Sequence, residues 1–250
     1  MKPIDRKQPW ILPILGGLSI LLARHLVILL FDVQEFVAPS PLAAITTLIE
    51  KAPVLAKNFW PTAIEAVAGF IIGNSLAILL AVVFVHSKIL EAAYFPVAVF
   101  FNTIPILALA PILVLIFGLG MLPKIVIAAI ICFFPTLVNM IRGLESVSAA
   151  ELELMHVLNA SRSEIFWRLR VPRSLPFLFA ALRIASTTSV VGAIVGEWIG
   201  ANSGLGALII QATFNYQPSL LYATLFVSSG LALLFFAIVV FVERRVLDWR

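Results

Sequence analysis

Long apolar runs, separated by short polar stretches, make up most of the chain. A bilayer core about 30 Å thick needs roughly 20 apolar residues for each helical crossing, and several runs meet that length. We predict crossings at Trp10 to Phe31, Thr62 to Val85, Ala92 to Phe117, Lys124 to Ile141, Phe177 to Gly200 and Leu220 to Val242. The pattern therefore predicts an all-α, polytopic membrane protein with about six transmembrane helices.

The composition supports this class, because 62% of the 250 residues are hydrophobic and only 12% are charged. A soluble globule needs a more charged exterior to stay dissolved. The single cysteine, Cys132, lies inside a predicted crossing. We therefore expect neither a disulfide framework nor a thiolate metal site.

The distribution of Lys and Arg predicts the orientation. With the N-terminus in the cytoplasm, most basic residues fall on the cytoplasmic side, whereas the other side receives Lys51, Lys57 and Lys124. We expect a multi-pass protein of the bacterial cytoplasmic (inner) membrane with both termini cytoplasmic. The net charge of +4 then reflects topology, and we expect lipid contacts and no nucleic-acid partner.

Residues 1–60 are predicted to form a first transmembrane helix and an external amphipathic segment, ahead of a core domain at 61–250. In the external segment, Ser40 is suited to cap a helix and Pro41 to occupy its first turn. The first crossing carries Arg24 and His25. Arg24 fits either a contact with lipid headgroups or a sealed helix interface. The apolar face of the amphipathic segment is formed by Leu42, Ile45, Leu48 and Ile49.

The third crossing contains Pro105 and Pro111. Each proline removes a backbone donor and kinks a helix, which lipid tolerates only where neighbouring protein or water satisfies the freed carbonyls. We expect this helix to be enclosed by others. Two interpretations stay open: a kink beside a translocation path, with Asn102 and Thr103 on it, and a kink made for packing.

The fifth crossing brings hydroxyls into the membrane, and its Gly192 and Gly196 allow close helix approach. Glu197 is an intramembrane or interfacial carboxylate, either functional or simply paired at the outer end. Trp198 fits an aromatic belt or a stack against a ring-bearing substrate. The full set of path candidates is Asn102, Thr103, Pro105, Pro111, Ser186, Thr187, Ser189, Glu197 and Trp198.

Two further features of the apolar part are weaker. Glu65 lies inside the second crossing and is either a functional carboxylate or one that pairs with a residue of the first helix. Gly204 and Gly206 flank Leu205 in an uncharged external loop. They permit a tight turn or a close backbone approach.

The stretch from Glu151 to Pro172 is too charged to cross, since each charge at the bilayer centre costs about 2.5 to 3.5 kcal/mol. "SRSE", Ser161 to Glu164, has the pattern of a capping box that starts a helix. We predict a preceding short helix over Ala149 to Leu158, a bend at Asn159, and a stop at Val171 and Pro172. Such a pair of short helices fits a docking element for a cytoplasmic partner or a surface helix packed on the membrane.

The spacing from Glu153 to Asn159 and on to Leu169, Val171 and Pro172 resembles the cytoplasmic motif of ABC importer permeases. That motif reads EAA, three residues, G, nine residues, I, any residue, LP. Leu154 and Met155 replace its alanines and Asn159 its glycine. "IPILALAPILVLIFGLG" and "GLGALI" also look like the nitrate/sulfonate/taurine branch of the family.

The resemblance implies a type I permease fold in which the chain works as a pair and a coupling helix at 149–172 docks on a cytoplasmic ATPase dimer. ATP and Mg would be held by that ATPase, with no cofactor in this chain, and an extracytoplasmic binding protein would deliver the substrate. The chain lacks a G-x-x-x-x-G-K-[ST] phosphate loop, and we expect no enzymatic activity. The implied docking residues are Glu151, Glu153, Leu154, Met155, Leu158, Asn159, Ala160, Ser161, Glu164 and Phe166.

"GEWIGANSGLG" looks most like permeases for thiamine-precursor pyrimidines or riboflavin. The alternative cargo is a sulfonate, taurine or nitrate anion.

Two other classes of membrane protein compete with a permease. A membrane enzyme would need a polar constellation, yet the histidines are scattered. An ion-coupled carrier or channel would use Glu65 and Glu197, yet the chain shows no internal repeat.

Overall fold

The structure, a computed structural model, describes residues 11–30 and 39–247, and within these ranges every regular element is helical. The order is α1 (Ile11–Leu30), α2 (Pro41–Glu50), α3 (Ala52–His86), α4 (Lys88–Thr103), α5 (Ile106–Phe117), α6 (Leu122–Glu145), α7 (Ala149–Val157), α8 (Arg162–Glu164), α9 (Val171–Glu197), α10 (Leu205–Phe214) and α11 (Pro218–Val246). A π-helical turn, Ile165–Arg170, joins α8 to α9.

Among the residues that the structure describes, four continuous helices are long and apolar enough to cross a membrane: α3, α6, Arg162–Glu197 and α11. The bent pair of α4 and α5 makes a fifth candidate. The predicted all-α membrane fold is confirmed. The predicted first crossing, which would bring the number of spans to six, stays a prediction, because its ends, Trp10 and Phe31, lie outside the described residues.

The predicted third crossing is not one kinked helix. It breaks between α4 and α5, whose axes differ by 99°. Ile104 is extended (φ −70°, ψ 125°), as the ring of a following proline favours, and Pro105 caps α5. Pro111 lies within α5. Within the described chain α4 buries no residue and α5 only Ala110, so other helices of this chain do not enclose the pair as we expected.

Helix α6 is the centre of the bundle and packs most extensively against α9 and α3. Glycines allow this approach. A Cβ atom on Gly73 would lie 2.9 Å from the Cα of Ala129, and one on Gly192 would lie 2.8 Å from the Cα of Ala128. The close approach predicted for Gly192 is therefore confirmed, and the same applies to Gly196 against Lys124.

The bundle has two polar ends. At one, Lys88 pairs with Glu145 beside α7; we call it the α7 end. At the other, Glu197 accepts from the amide of Gly206 in α10, and Lys124 pairs with Glu65; we call it the α10 end. From Lys124 to Glu145 an α-helix rises about 32 Å, which matches the bilayer core. The predicted boundary between residues 60 and 61 falls inside α3, which runs unbroken through Pro61.

The predicted amphipathic segment forms α2. The Ser40 hydroxyl accepts a hydrogen bond from the amide of Ala43 at 3.2 Å, and Pro41 lies in the first turn, as expected. Arg24 donates to the carbonyl of Pro39 at 2.9 Å and lies over the Tyr222 ring at 4.4 Å. Of the two alternatives for Arg24, the structure favours the sealed interface. The side chain of His25 lies outside the described set.

The stop predicted at Val171 and Pro172 is wrong, because the helix continues from Arg162 to Glu197. The amide of Val171 bonds to the carbonyl of Phe166, five residues back. This wider turn accommodates the proline that follows, which has no amide to donate and would crowd an ordinary α-helical turn.

We expect Gly73→Ala to destabilise the protein by about 1–3 kcal/mol, since the added methyl group meets backbone atoms of α6. Gly230→Ala in α11 is the matched control, because a Cβ there meets nothing within 4 Å. Thermal unfolding in detergent should show a lower midpoint for Gly73→Ala alone. Equal midpoints for the two variants would contradict the packing described here.

Candidate functional site

The charged element at the α7 end is built from two capping boxes. In the predicted one, the amide of Glu164 donates to the Ser161 hydroxyl (3.2 Å) and the amide of Ser161 to the Glu164 carboxylate (3.0 Å). Ser148 and Glu151 form another in front of α7. Sequence reasoning missed this second box, although its S-x-x-E pattern was visible. Both short helices therefore begin at defined residues.

The bend between α7 and α8 is at Asn159, as predicted, with φ 53°. Asparagine tolerates this left-handed conformation better than most residues. The amide of Ala160 donates to the carbonyl of Met155 at 3.0 Å. The end of α7 is thus closed by the backbone itself.

Glu151 ties α7 to the crossing helix α9 through an ion pair with Arg173. The Arg173 hydrogen bond, with further bonds from Ser148, lowers the pKa of Glu151 to about 2. Hydrogen bonds from Ser161 likewise hold the pKa of Glu164 below its usual value. Both carboxylates stay ionised at neutral pH, so the element keeps its geometry there.

Several predicted docking residues lie on an exposed edge of this element. Leu154 and Leu158 are exposed, together with Val157 and Trp167, which the sequence analysis did not select. Glu153, Asn159 and Ser161 are exposed, and Glu151, Met155, Ala160 and Glu164 are partly buried.

Phe166 differs from the rest of the predicted docking set, because it is only 7% exposed and packs on the His86 ring. It anchors the element to the bundle and is not available to a partner. The exposed residues Leu154, Val157 and Leu158 share one face at the end of α7 by their spacing, and Trp167 of the π-helical turn is exposed as well. We call these four side chains the α7 edge.

The predicted path residues fall into two groups that the fold does not bring together. Asn102, Thr103, Pro105 and Pro111 are exposed around the break between α4 and α5. Ser186 and Ser189 are buried, and their hydroxyls donate to carbonyls of their own helix. Thr187 is partly buried and Trp198 exposed.

Glu197 belongs to a buried group at the α10 end. Its carboxylate accepts from the Thr62 hydroxyl (2.6 Å) and the Gly206 amide (2.5 Å). The amide of Leu205 donates to the Thr62 hydroxyl at 2.8 Å, and the amide of Gly204 to the Asn58 side chain at 2.9 Å. The carboxylate is paired inside the protein and does not line an open path here.

The two glycines flagged in the sequence make this arrangement possible. Gly204 has φ 118°, a conformation that other residues rarely adopt. A Cβ there would lie 2.6 Å from Glu197 Oε2. Gly204 and Gly206 thus allow the backbone to approach the carboxylate, as the G-x-G spacing permitted.

Glu65 lies beside this group and is fully buried. Its partner is Lys124 of α6, with Nζ 3.1 Å from Oε1, so the alternative of a pairing with the first helix is wrong. We call Asn58, Thr62, Glu65, Lys124, Glu197 and the amides of residues 204–206 the α10-end cluster.

A cavity of about 590 Å³ lies between α3, α4, α5 and α6. Its walls are almost entirely apolar, with Leu76, Phe101 and Phe133 among them, and Tyr94 adds a lone hydroxyl-bearing side chain. A polar cargo would find few hydrogen-bond partners there. Among the described residues, no three His, Cys, Asp or Glu side chains group as a metal site.

Comparison with known proteins places these features in context. Residues 73–248 match the family model "Binding-protein-dependent transport system inner membrane component". The chain is 34% identical over 218 residues to the formylaminopyrimidine transport permease protein ThiX of Halalkalibacterium halodurans, covering 87% of each. It is 31% identical over 164 residues to the riboflavin transport system permease protein RibX of Chloroflexus aurantiacus, covering 66% of this chain and 61% of that one.

A solved structure shares the fold. A chain of the MetNI methionine ABC transporter in an inward-facing conformation superposes with a TM-score of 0.65 at 21% identity. The match covers 79% of this chain and 98% of that one.

Lys124→Met should destabilise the protein by about 3–5 kcal/mol, because it leaves a buried Glu65 without its cation. The double variant Lys124→Met with Glu65→Gln should recover part of that loss, since Glu65 is then neutral, whereas Glu197 remains a buried carboxylate. Thermal unfolding of both in detergent checks this. A double variant no more stable than Lys124→Met would show that the pair is not the cause.

The Glu151 cap should make α7 acid-sensitive. Because the folded-state pKa lies below the usual value of 4.5, the stabilisation is complete above about pH 4.5 and is lost as pH falls through about 2. Amide exchange of α7, corrected for the intrinsic pH dependence, should rise across that window. In Glu151→Gln the rise should be absent; an unchanged rise would assign it to another group.

Proposed function

Since the chain belongs to the family of binding-protein-dependent transport system inner membrane components, we propose that it is the permease subunit of an ATP-driven importer of the ABC class. In this proposal a cytoplasmic ATPase dimer binds at the α7 end. An extracytoplasmic binding protein delivers cargo at the α10 end. Both chain termini would lie in the cytoplasm, as the Lys and Arg distribution predicts.

The observation that carries the proposal is the α7 edge. Apolar side chains that remain exposed at a polar end of the bundle favour contact with a protein partner. The edge is held by two capping boxes and the ion pair of Glu151 with Arg173. A partner that moves α7 therefore also moves the crossing helix α9. A membrane enzyme or an ion-coupled carrier has no use for such an element.

A second copy of the chain completes the transporter in this proposal. Helix α4 has 16 residues and rises about 24 Å, so the break at its far end lies within the depth of the membrane. Irregular backbone at that depth is not exposed to lipid. The exposed break, with Asn102 and Thr103, thus favours a face turned toward the second copy and the path between the two.

Transport would then follow alternating access. ATP must bind one arrangement of the ATPase pair better than the other, because only differential affinity shifts an equilibrium. The α7 edges pass that shift to the two α9 helices, and the path opens outward to receive cargo. Segments 201–219 and 32–61 are the expected landing site for the binding protein, although 32–38 lies outside the described residues.

For the cargo we propose a thiamine-precursor pyrimidine or a riboflavin-like compound; a sulfonate, taurine or nitrate anion is the alternative. The names of two similar permeases support the ring compounds. Three cations of the described membrane helices also favour a neutral cargo, since each already has a partner. Lys124 pairs with Glu65, Arg183 with Glu243 at 3.4 Å, and Arg24 with the carbonyl of Pro39.

The test is co-purification from the native membrane. The wild-type chain should bring an ATPase with it, and Val157→Arg should reduce the recovered ATPase about tenfold or more, as loss of a central interface residue does. Val157 is 76% exposed, so the fold should tolerate the change.

Ile89→Arg is the matched control, because Ile89 is exposed at the same end but outside the α7 edge. It should leave ATPase recovery unchanged. If Val157→Arg retains the ATPase in full, the α7 edge is not the docking surface. If the wild-type chain is recovered without any ATPase, the importer assignment fails.

A further inference from the structure

Helix α10 is too short to cross the membrane, with 10 residues where a crossing needs about 20. It lies in a segment, residues 198–219, that carries no charged side chain. Large side chains of that segment remain exposed: Phe214 is 75% and Tyr216 is 73% exposed. The opposite side of α10, including Leu205 and Ala212, is buried against the bundle.

The polar attachment of α10 lies at its first turn. The amides of Gly204, Leu205 and Gly206 each donate to a side chain of a crossing helix: Asn58 and Thr62 of α3, and Glu197 of α9. The first amides of a helix have no partner within the helix itself. Here two different crossing helices supply those partners, which ties the start of α10 to α3 and α9, while Leu208 further along packs against apolar residues of α3 and α11.

The Thr62 hydroxyl is the centre of this attachment. It donates to Glu197 and accepts from Leu205, so that it joins α3, α9 and α10. All the atoms involved are buried, and Thr62 itself is 0% exposed. Buried hydrogen bonds in a low dielectric are strong and geometrically specific. The carboxylate at the first turn of α10 adds a favourable interaction with the helix dipole.

Glu65 and Lys124 supply an independent observation in the same cluster. Burial of a carboxylate is costly unless it is paired, and Lys124 of α6 is the cation that compensates Glu65, at 3.1 Å. The cluster therefore has two parts: one holds α10, and the other joins α3 to α6.

We propose that the α10-end cluster is a mechanical link through which contact of the binding protein with segment 198–219 moves the crossing helices α3 and α9. Glu197 and Thr62 are its positioning residues; they do not touch cargo. This inference rests on the proposed function and names the route by which the external partner acts on the membrane domain. Contact on the exposed side of α10 reaches α3 and α9 through three amides and three side chains.

The first experiment tests whether the cluster holds α10. Ala212→Cys is introduced into a Cys132→Ala background, since Cys132 is the single native cysteine. Ala212 is buried, so a membrane-impermeant maleimide should label Cys132→Ala/Ala212→Cys slowly. Adding Thr62→Val, which has the same shape but lacks the hydroxyl, should raise the labelling rate at least tenfold. Thr62→Ser, which keeps the hydroxyl, should restore slow labelling.

The second experiment tests transmission in the complex purified from native membranes. ATP hydrolysis is measured with and without the binding protein that co-purifies. Thr62→Val should lower the ratio of stimulated to basal hydrolysis several-fold, and Thr62→Ser should retain the wild-type ratio. A role in stability alone would change both rates together and leave their ratio constant.

Slow labelling in the Thr62→Val variant would overturn the link, because α10 would then be held by other contacts. Fast labelling with an unchanged stimulation ratio would overturn transmission.

Failure of the importer assignment is distinguishable from both of these outcomes. A wild-type complex without stimulated ATP hydrolysis refutes that assignment and transmission with it, whereas the labelling rates still report whether the cluster holds α10.

Discussion

The close packing of α6 against α3 and α9 is the constraint on which the rest of the structure depends. Lipid offers no hydrophobic driving force between helices, so their association relies on backbone approach and buried polar contacts. Gly73 and Gly192 allow that approach where a methyl group would meet the backbone of α6. Asn74 and Thr136 add a buried hydrogen bond of 2.5 Å between α3 and α6. Helices α3, α6 and α9 thus form one closely packed unit.

Each end of that unit carries a different kind of site. At the α7 end, capping boxes and the Glu151–Arg173 ion pair hold an exposed apolar edge in place. At the α10 end, Thr62 and Glu197 hold the short helix α10 by its first amides. In the proposed importer the first site receives the ATPase and the second receives the binding protein. Helices α3 and α9 connect them.

Many features of the fold and of the two sites could be predicted from local patterns in the sequence. The capping box at Ser161, the bend at Asn159 and the close approach at Gly192 each depend on neighbouring residues or on one small side chain, and each was predicted. Contacts between residues that are distant in the chain were not predicted. Glu65 pairs with Lys124, 59 positions away, and nothing in the local sequence of either residue indicates the other. Pro172 does not end its helix, because the preceding π-helical turn accommodates the proline.

In the proposed importer, ATP hydrolysis by a bound partner drives transport through a pair of these chains. Uptake of labelled cargo into proteoliposomes that hold the complex purified from native membranes measures this, with a formylaminopyrimidine, riboflavin and taurine tested in parallel. A ring compound should enter only with ATP on the ATPase side and the binding protein on the other. Transport by the chain alone, without ATP, would refute the proposal.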